Sequence, residues 1–184
     1  MTEDQSWERL RSEQMADCRV FTVRQDISRN PRDGSEHKFY CIEATDWINI
    51  IPLTAANEVV MIEQYRHGIE QVTLEIPGGM VDEGEDPKAA AVRELLEETG
   101  YAAGDVIELG RTRPNPAIQN NWVYHYAARD VKFVAEPQFD GTEHTVTKLV
   151  PLAEVGRLID DGTITHSLVV AGFCRFWLHE KSVA

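Results

Sequence analysis

The pattern of apolar and polar residues predicts β-strands in the first part of the chain. CRVFTVRQDI (18–27) alternates apolar with polar side chains, and after the turn-forming NPRDGS the stretch HKFYCIEA returns as a second strand, which predicts a β-hairpin. The apolar, β-branched runs WINIIPLT (47–54) and VVMIEQYR (59–66) predict buried strands. HGIEQVT (67–73) is interpreted as a loop, and the polar residues 3–15 fit either a short helix or a loose segment.

The later part of the chain alternates helical and strand patterns. Asp86 suits the N-cap of a helix, Pro87 suits its first position, strong helix formers continue to Thr99, and Gly100 suits the terminator. VIELGRT, WVYHYAARDV and TVTKLVPL then predict strands. LAEVGRLIDDG predicts a short helix, and SLVVAGFCRFWLHE predicts a helix whose apolar residues are dense enough to pack on the core.

This order of elements predicts the fold class. Strands, a helix, more strands and two helices indicate an α+β fold, an α/β/α sandwich with a mixed β-sheet between helices and an N-terminal β-hairpin extension. We expect residues 1–45 to form the extension and residues 46–184 the main domain. A chain of 184 residues is long enough for such a domain to bury a substantial core.

The chain is strongly acidic, with 31 acidic and 18 basic residues and a formal charge of −13. Such a surface repels nucleic acid, because nucleic-acid binding depends on basic residues that neutralise phosphates. No apolar run reaches membrane-spanning length, the N-terminus is too polar for a signal peptide, and the three cysteines form no disulfide or zinc pattern. We therefore expect a cytoplasmic protein that binds neither nucleic acid nor membranes. A phosphate-bearing ligand would need a local cation.

Three carboxylates crowd one face of the predicted helix. Glu94, Glu97 and Glu98 are related by steps of three and four residues, which places them side by side, and Arg93 stands four before Glu97 and can brace it. Carboxylates this close repel one another, so that without a ligand at least one would hold its proton. Hard oxygen ligands on one helix face suit Mg²⁺ or Mn²⁺. The sequence therefore suggests a metal site, and a solvated acidic face is the alternative.

A longer pattern with fixed spacing contains these acids. Its positions are Gly79, Glu85, Arg93, Glu94, Leu95, Glu97, Glu98, Gly100 and the bulky Tyr101. The intervals match every fixed position of the Nudix box, so the chain resembles the Nudix hydrolase family. The resemblance implies the Nudix fold and the cleavage of a nucleoside diphosphate that is linked to some further moiety.

The resemblance also implies roles for the residues of the box. The implied metal ligands are the carbonyl group of Gly78 and the carboxylates of Glu94, Glu97 and Glu98. Glu97, Glu98 and Arg93 are the implied catalytic residues, with Arg93 orienting the glutamates. Glu85 would tie down the start of the helix, and Gly79 and Gly100 would be structural. Mg²⁺, with Mn²⁺ as a possible substitute, would reduce the charge on the diphosphate, polarise its P–O bonds and generate hydroxide from water.

The flanks of the box narrow the resemblance to one branch of the family. EQYRHGIEQVTLEIPGG, which leads into the box, is similar to ADP-ribose pyrophosphatases and nucleoside-diphosphate-sugar hydrolases. That branch has a proline about sixteen residues beyond the box, and Pro116 stands 16 residues after Gly100. The loop PNPAIQNN is more similar to the nucleoside-diphosphate-sugar hydrolases than to the ADP-ribose enzymes.

The candidate substrate-binding residues outside the box are Arg66, Trp47, Asn115 and Gln119. Arg66 is implied to contact the diphosphate, and a surface ion pair with Glu63 or Glu70 is the alternative. Trp47 would stack on a base, or it is a tryptophan of the core. The two amide side chains would bind sugar hydroxyl groups, or they hold their own loop.

Acidic residues outside the box are candidates as well. The resemblance implies a general base or a further ligand in a loop after the central strands, where the acids are Glu136, Asp140 and Glu143. Glu143 is favoured because it stands just before the strand TVTKLV, and a flexible acidic loop without a catalytic part is the alternative. Glu75 would support the site from behind, or it pairs in the interior with Arg66 or Arg93.

Three functional hypotheses follow from these residues. The leading one is Mg²⁺-dependent hydrolysis of a nucleoside diphosphate sugar, ADP-ribose included, to a nucleoside monophosphate and a sugar phosphate. The second is a housecleaning pyrophosphohydrolase for nucleoside triphosphates or dinucleoside polyphosphates. The third is a non-catalytic sensor of ADP-ribose-like ligands. The resemblance further implies a homodimer in which the N-terminal strands are exchanged between two-fold related subunits.

Overall fold

The computed structural model describes residues 5–139 and 144–183. The chain forms two compact units: Met1–Thr45 with Arg113–Asn121, and Asp46–Thr112 with Trp122–Ala184. The first unit thus combines the N-terminal segment with a loop from the middle of the chain. The assignment of residues 1–45 and 46–184 as separate domains stays a prediction.

The first unit contains an antiparallel sheet of three strands in the order β1-β2-β3. The strands are β1 (Glu8–Asp17), β2 (Thr22–Arg29) and β3 (Glu36–Glu43). The predicted hairpin corresponds to β2 and β3, and β1 is a third strand in a segment for which the sequence left a helix or a loose chain open. Every residue of β1 is exposed, so the strand has no buried face that could produce an apolar alternation.

The second unit contains the mixed sheet. Its strands are β4 (Trp47–Pro52), β5 (Glu58–Arg66), β6 (Gln71–Glu75), β7 (Gly78–Met80), β8 (Tyr101–Ala102), β9 (Asp105–Thr112), β10 (Val123–Arg129), β11 (Lys132–Phe133) and β12 (Thr145–Pro151). One sheet has the order β7-β4-β10-β9, with β4 and β10 parallel and the other pairs antiparallel. An antiparallel sheet has the order β12-β5-β6, and β8 pairs with β11. The interpretation of residues 67–73 as a loop is wrong at its end, because β6 begins at Gln71.

The helices of the second unit are α1 (Pro87–Thr99), α2 (Leu152–Asp160) and α3 (Ser167–Val183). Helix α1 has the predicted boundaries: the Asp86 side chain accepts a hydrogen bond from the N–H of Ala89, and Gly100 ends the helix with φ of 73°. A Cβ atom at Gly100 would also collide with the carbonyl oxygen of Ala135. Glycine is therefore needed at position 100 for its backbone conformation and for a close approach.

Buried residues on both faces of the sheets form two core clusters. The cluster under α1 includes Ile48, Ile50, Ala91, Leu95 and Tyr126. The cluster under α2 and α3 includes Ile51, Leu53, Val155, Phe173 and Phe176. Burial of each large apolar side chain contributes about 1.5–3 kcal/mol. Helices cover both faces, which confirms the predicted α/β/α sandwich with a mixed sheet.

A buried histidine links four elements of the second unit. His125 in β10 is 0% exposed, its Nδ1 lies 2.8 Å from Oδ1 of Asn49 in β4, and its Nε2 lies 2.8 Å from Oγ1 of Thr112 in β9. Asn49 in turn donates through Nδ2 to the carbonyl oxygen of Leu168 in α3 at 2.9 Å. Burial, with a smaller effect of the Arg175 charge, lowers the pKa of His125 to about 4.

We expect His125 to make the protein less stable in mild acid. Its pKa is about 4 in the folded chain and 6.5 in its ordinary state, so the unfolded chain binds more protons between these two values. The stability that neutral His125 contributes is complete above pH 6.5 and is lost as the pH falls toward 4. In total, neutral His125 contributes about 3 kcal/mol to the free energy of unfolding at neutral pH.

Urea unfolding of the wild type and of His125→Gln, measured across this pH range, checks this expectation. The substitution should flatten the dependence of the free energy of unfolding on pH, whatever it does to the stability at neutral pH. Equal slopes for the two proteins would contradict the assignment.

Candidate active site

Arg93 lies at the centre of the acidic cluster on α1. Its Nε and Nη2 atoms each donate to one oxygen of Glu85 at 2.9 Å. Its Nη1 atom donates to Oε1 of Glu94 at 2.9 Å and to Oε2 of Glu97 at 3.1 Å. Nη2 also donates to the carbonyl oxygen of Met80 at 3.2 Å. One guanidinium group therefore ties three carboxylates and the loop before the helix together.

The charges in this cluster stabilise one another. The hydrogen bond with Glu85 is the largest influence on Arg93 and raises the pKa of the guanidinium above its usual value. The same bond lowers the pKa of the Glu85 carboxyl, whose Oε2 also accepts from the N–H of Asp82 at 3.1 Å. These contacts are compatible with the implied positioning roles of Glu85 and Arg93, which stay predictions.

Glu98 occupies the inner side of the helix, with 4% exposure. Its Oε2 accepts a hydrogen bond from the N–H of Gly78 at 3.0 Å, and its backbone carbonyl accepts from Oγ1 of Thr145 at 2.8 Å. The neighbouring carbonyl of Glu97 accepts from the N–H of Gln138 at 2.8 Å. The last turn of α1 is thus joined to β7, to β12 and to the chain after β11.

Gly79 brings the backbone of β7 against the side chain of Glu94. Gly79 pairs with Ile48 of β4, and a Cβ atom at Gly79 would lie only 2.5 Å from Cδ of Glu94. The Glu94 side chain is 13% exposed, and the atoms that the added Cβ would meet are those of its carboxylate. Only glycine at this position leaves the Glu94 carboxylate where it is.

The cluster contains oxygen atoms that are suited to binding a divalent cation. Glu94 and Glu97 share the Nη1 atom of Arg93, and Glu98 bonds to the Gly78 N–H, so protein donors satisfy each of these carboxylates. Within residues 5–139 and 144–183, no three acidic, histidine or cysteine side chains already surround one point as a metal-binding group. Three carboxylates and a neighbouring backbone carbonyl are nevertheless the donor chemistry that Mg²⁺ prefers, so these residues fit such an ion.

Comparison with known proteins identifies the family. A model of the NUDIX domain matches residues 44–173. The chain belongs to the Nudix family. A methanol dehydrogenase activator of Bacillus methanolicus is 32% identical over 120 residues, which cover 65% of this chain and 64% of that protein, so this chain spans just under two thirds of it. An ADP-ribose pyrophosphatase of Mycobacterium tuberculosis is 29% identical over 171 residues, covering 92% of this chain and 82% of that one.

A solved structure supports the same assignment for the fold. The crystal structure of an ADP compounds hydrolase has a TM-score of 0.82 and 25% sequence identity, and the match covers 96% of each chain. These similarities confirm the resemblance to Nudix hydrolases and to their ADP-ribose pyrophosphatase branch, and they confirm the predicted Nudix fold.

Arg66 of this Nudix domain pairs with Glu75. An interior pair with Arg66 or Arg93 is one of the two roles that the sequence suggests for Glu75. Nε and Nη2 of Arg66 donate to Oε1 and Oε2 of Glu75 at 2.7 and 2.6 Å. Thr73 donates to Oε1 at 2.5 Å, and Nδ1 of His166 lies 2.8 Å from Oε2. Burial would raise the pKa of Glu75, yet its bonds and the Arg66 charge hold the pKa at about 2. No sequence signal indicates that His166 contacts Glu75, because the two residues stand 91 positions apart in the chain.

The remaining substrate candidates fall in different parts of the molecule. Trp47 begins β4 in the second unit, is half buried and pairs with Met80 of β7, next to the box. Asn115 and Gln119 belong to the first unit. The carbonyl of Asn115 accepts the N–H groups of Ile118 and Gln119 at 3.1 and 2.8 Å, which holds the turn by its backbone. Substrate contacts of Trp47, Asn115 and Gln119 stay predictions.

The favoured general base is not part of the described structure. Glu143 and Asp140 lie outside the described residues, and Glu136 is exposed. The role of Glu143 therefore stays a prediction. Among the described residues, no helix is both long and apolar enough to span a membrane. The cytoplasmic location stays a prediction.

We expect Gly79→Ala to weaken Mg²⁺ binding without unfolding the protein. The added methyl group meets the flexible end of the Glu94 side chain, so the carboxylate must move while the backbone can stay in place. A displaced ligand should weaken the affinity for Mg²⁺ about tenfold or more. Isothermal titration calorimetry with Mg²⁺ and thermal unfolding measure the two effects.

Gly68→Ala is the matched control, because a Cβ atom at Gly68 would meet no atom within 4 Å. This variant should bind Mg²⁺ as the wild type does. Unchanged affinity in Gly79→Ala would show that the position of Glu94 does not matter for the cation.

Proposed function

We propose that this protein is a divalent-cation-dependent diphosphatase that cleaves ADP-ribose or another nucleoside diphosphate sugar into a nucleoside monophosphate and a sugar phosphate. The observation that carries the proposal is the complete box, in which Arg93 joins Glu85, Glu94 and Glu97 beside the inward-facing Glu98. The similarity to an ADP-ribose pyrophosphatase over 92% of the chain supports the choice of substrate class.

The residues proposed to hold the cation are the Gly78 carbonyl and the carboxylates of Glu94, Glu97 and Glu98. A bound Mg²⁺ would supply charge neutralisation on the diphosphate and a more acidic water. Glu97 is the most accessible of the three carboxylates, with 46% exposure of its side chain, whereas Glu98 is almost completely buried. Glu97 and Glu98 are thus suited to the outer and the inner side of such a site.

The chain's own cationic groups have separate proposed tasks. Arg93 keeps the glutamates oriented, because its bonds fix both the helix and the loop before it. Arg66, held in one plane by two bonds to Glu75, contacts the diphosphate. Trp47 stacks on the base, while Asn115 and Gln119 recognise hydroxyl groups of the sugar.

Glu143 is the proposed general base for the attacking water. Residues close to both ends of the segment 140–143 bond to the last turn of α1: Gln138 to the carbonyl of Glu97, and Thr145 to the carbonyl of Glu98. Gln138 and Thr145, on either side of this segment, therefore lie beside the proposed metal ligands Glu97 and Glu98. This placement of its described neighbours supports the proposal that Glu143 is the base.

A substrate panel with a variant tests the proposed function. The purified protein with Mg²⁺ should release a product sensitive to added phosphatase from ADP-ribose, ADP-glucose or another nucleoside diphosphate sugar, and EDTA should abolish the release. Glu98→Gln removes one anionic ligand but preserves shape, so kcat should fall about 100-fold or more. Circular dichroism should show that this variant is folded.

Glu180→Gln provides the control for the loss of one negative charge. Glu180, on α3, forms a surface ion pair with Arg129 of β10. Its substitution should therefore leave kcat close to that of the wild type. Hydrolysis of deoxynucleoside triphosphates alone would instead support a housecleaning enzyme. Binding of ADP-ribose without any turnover would support a sensor.

We also propose that the protein is a homodimer and that the N-terminal sheet contributes to its interface. The first unit carries many large apolar side chains that are exposed in the single chain: Trp7, Leu10, Met15, Val20, Phe39 and Tyr40. Trp7 packs edge-on against Phe39, with 5.1 Å between the ring centroids, and against His37. Exposed apolar groups of this kind are typical of surfaces that a partner covers.

Substitution of Trp7 by Asp should shift the protein from dimer to monomer, because a charge would be buried in the proposed interface. Light scattering coupled to gel filtration should give twice the chain mass of 20.8 kDa for the wild type and the single mass for the variant. Leu178→Asp alters another exposed apolar residue, on α3, and should leave the mass unchanged. A monomeric wild type would rule out the proposed interface.

A further inference from the structure

The environment of Glu75 assembles side chains from three separate elements. Arg66 ends β5, Thr73 precedes Glu75 by two residues on β6, and His166 stands immediately before α3. Glu75 itself is 2% exposed, so its charge depends on these neighbours instead of on water. A buried carboxylate is tolerated only when such partners are present.

Arg66 and Thr73 already donate hydrogen bonds to the Glu75 carboxylate. Arg66 donates to both oxygens, and Thr73 adds a bond to Oε1. Oε2 has the additional neighbour His166, whose Nδ1 is 2.8 Å away and buried, although it lacks the alignment of a hydrogen bond. His166 therefore closes the side of Glu75 that Thr73 does not reach.

His166 is fixed by the helix that it precedes. Its backbone carbonyl accepts the N–H groups of Val169 and Val170 at 3.0 and 3.1 Å, so it belongs to the first turn of α3. The same turn is tied to the central sheet, because Asn49 of β4 donates to the carbonyl of Leu168. The imidazole ring thus reaches Glu75 from a rigid support.

We propose that His166 is a positioning residue that acts through Glu75 to fix the guanidinium group of Arg66 for binding the diphosphate of the substrate. This inference rests on the proposed function, in which Arg66 contacts that diphosphate. The Arg66 side chain is 40% exposed at the end of strand β5. Glu75 gives the guanidinium its plane, and His166 with Thr73 gives Glu75 its orientation.

Variants of His166 distinguish positioning from mere packing. His166→Ala should raise KM for ADP-ribose about tenfold and change kcat much less, because the loss concerns binding through Arg66. His166→Asn keeps a nitrogen donor near the place of Nδ1 and should restore most of the affinity. Equilibrium binding of ADP, measured by calorimetry in the presence of Mg²⁺, should follow the same order without any turnover.

A double-mutant cycle tests whether the effect passes through Arg66. In the background of Arg66→Ala, the further change His166→Ala should have no additional effect on KM or on ADP binding. His179→Gln, on the same helix, is the control and should leave both quantities unchanged.

The outcomes separate the two proposals. If wild-type protein hydrolyses ADP-ribose but His166→Ala keeps its KM and its ADP affinity, the positioning role is wrong while the proposed function stands. An equal loss in the Arg66→Ala background would also overturn the role, because His166 would then act by another route. If the wild type neither hydrolyses ADP-ribose nor binds ADP, the proposed function fails first.

Discussion

The site depends on the ability of one guanidinium group to hold mutually repelling carboxylates together. Arg93 bonds to Glu85, Glu94 and Glu97, and without it the end of the loop and two turns of helix would carry like charges side by side. The arginine thereby allows the chain to fold with its acids already grouped. It also couples the helix to Met80, so the orientation of the acids and the path of the loop are set together.

Close backbone packing explains why Glu94 and Glu98 face strand β7 and not the solvent. Gly79 leaves space for the Glu94 side chain, Gly78 donates to Glu98, and the buried Leu95 anchors α1 in the core. The closing contact between Gly100 and Ala135 brings the chain after β11 over the end of the helix. The box is therefore a structural unit of loop, helix and loop whose parts determine one another's position.

Much of the fold and the cluster could be predicted from the sequence, because periodicity and spacing are local signals. Helix α1, with its cap at Asp86 and its end at Gly100, shows this most directly. Strand β1 could not be predicted, because it is exposed on both faces and depends on pairing with β2. The contact between His166 and Glu75 joins residues far apart in the chain and is only a consequence of tertiary packing. Glu143 is a prediction from the resemblance and from its place before a predicted strand, and the described residues do not include it.

The charge balance of the site argues for a cation more strongly than the acids alone do. Arg66 is neutralised by the buried Glu75, and Arg93 is shared among three carboxylates, so neither arginine offers an uncompensated positive charge to a diphosphate. The chain as a whole carries −13. Since a diphosphate would meet a net negative field, a divalent cation on Glu94, Glu97 and Glu98 is the component that would reverse it. Arg66 would then add directed hydrogen bonds to the diphosphate, and the cation would supply most of the attraction.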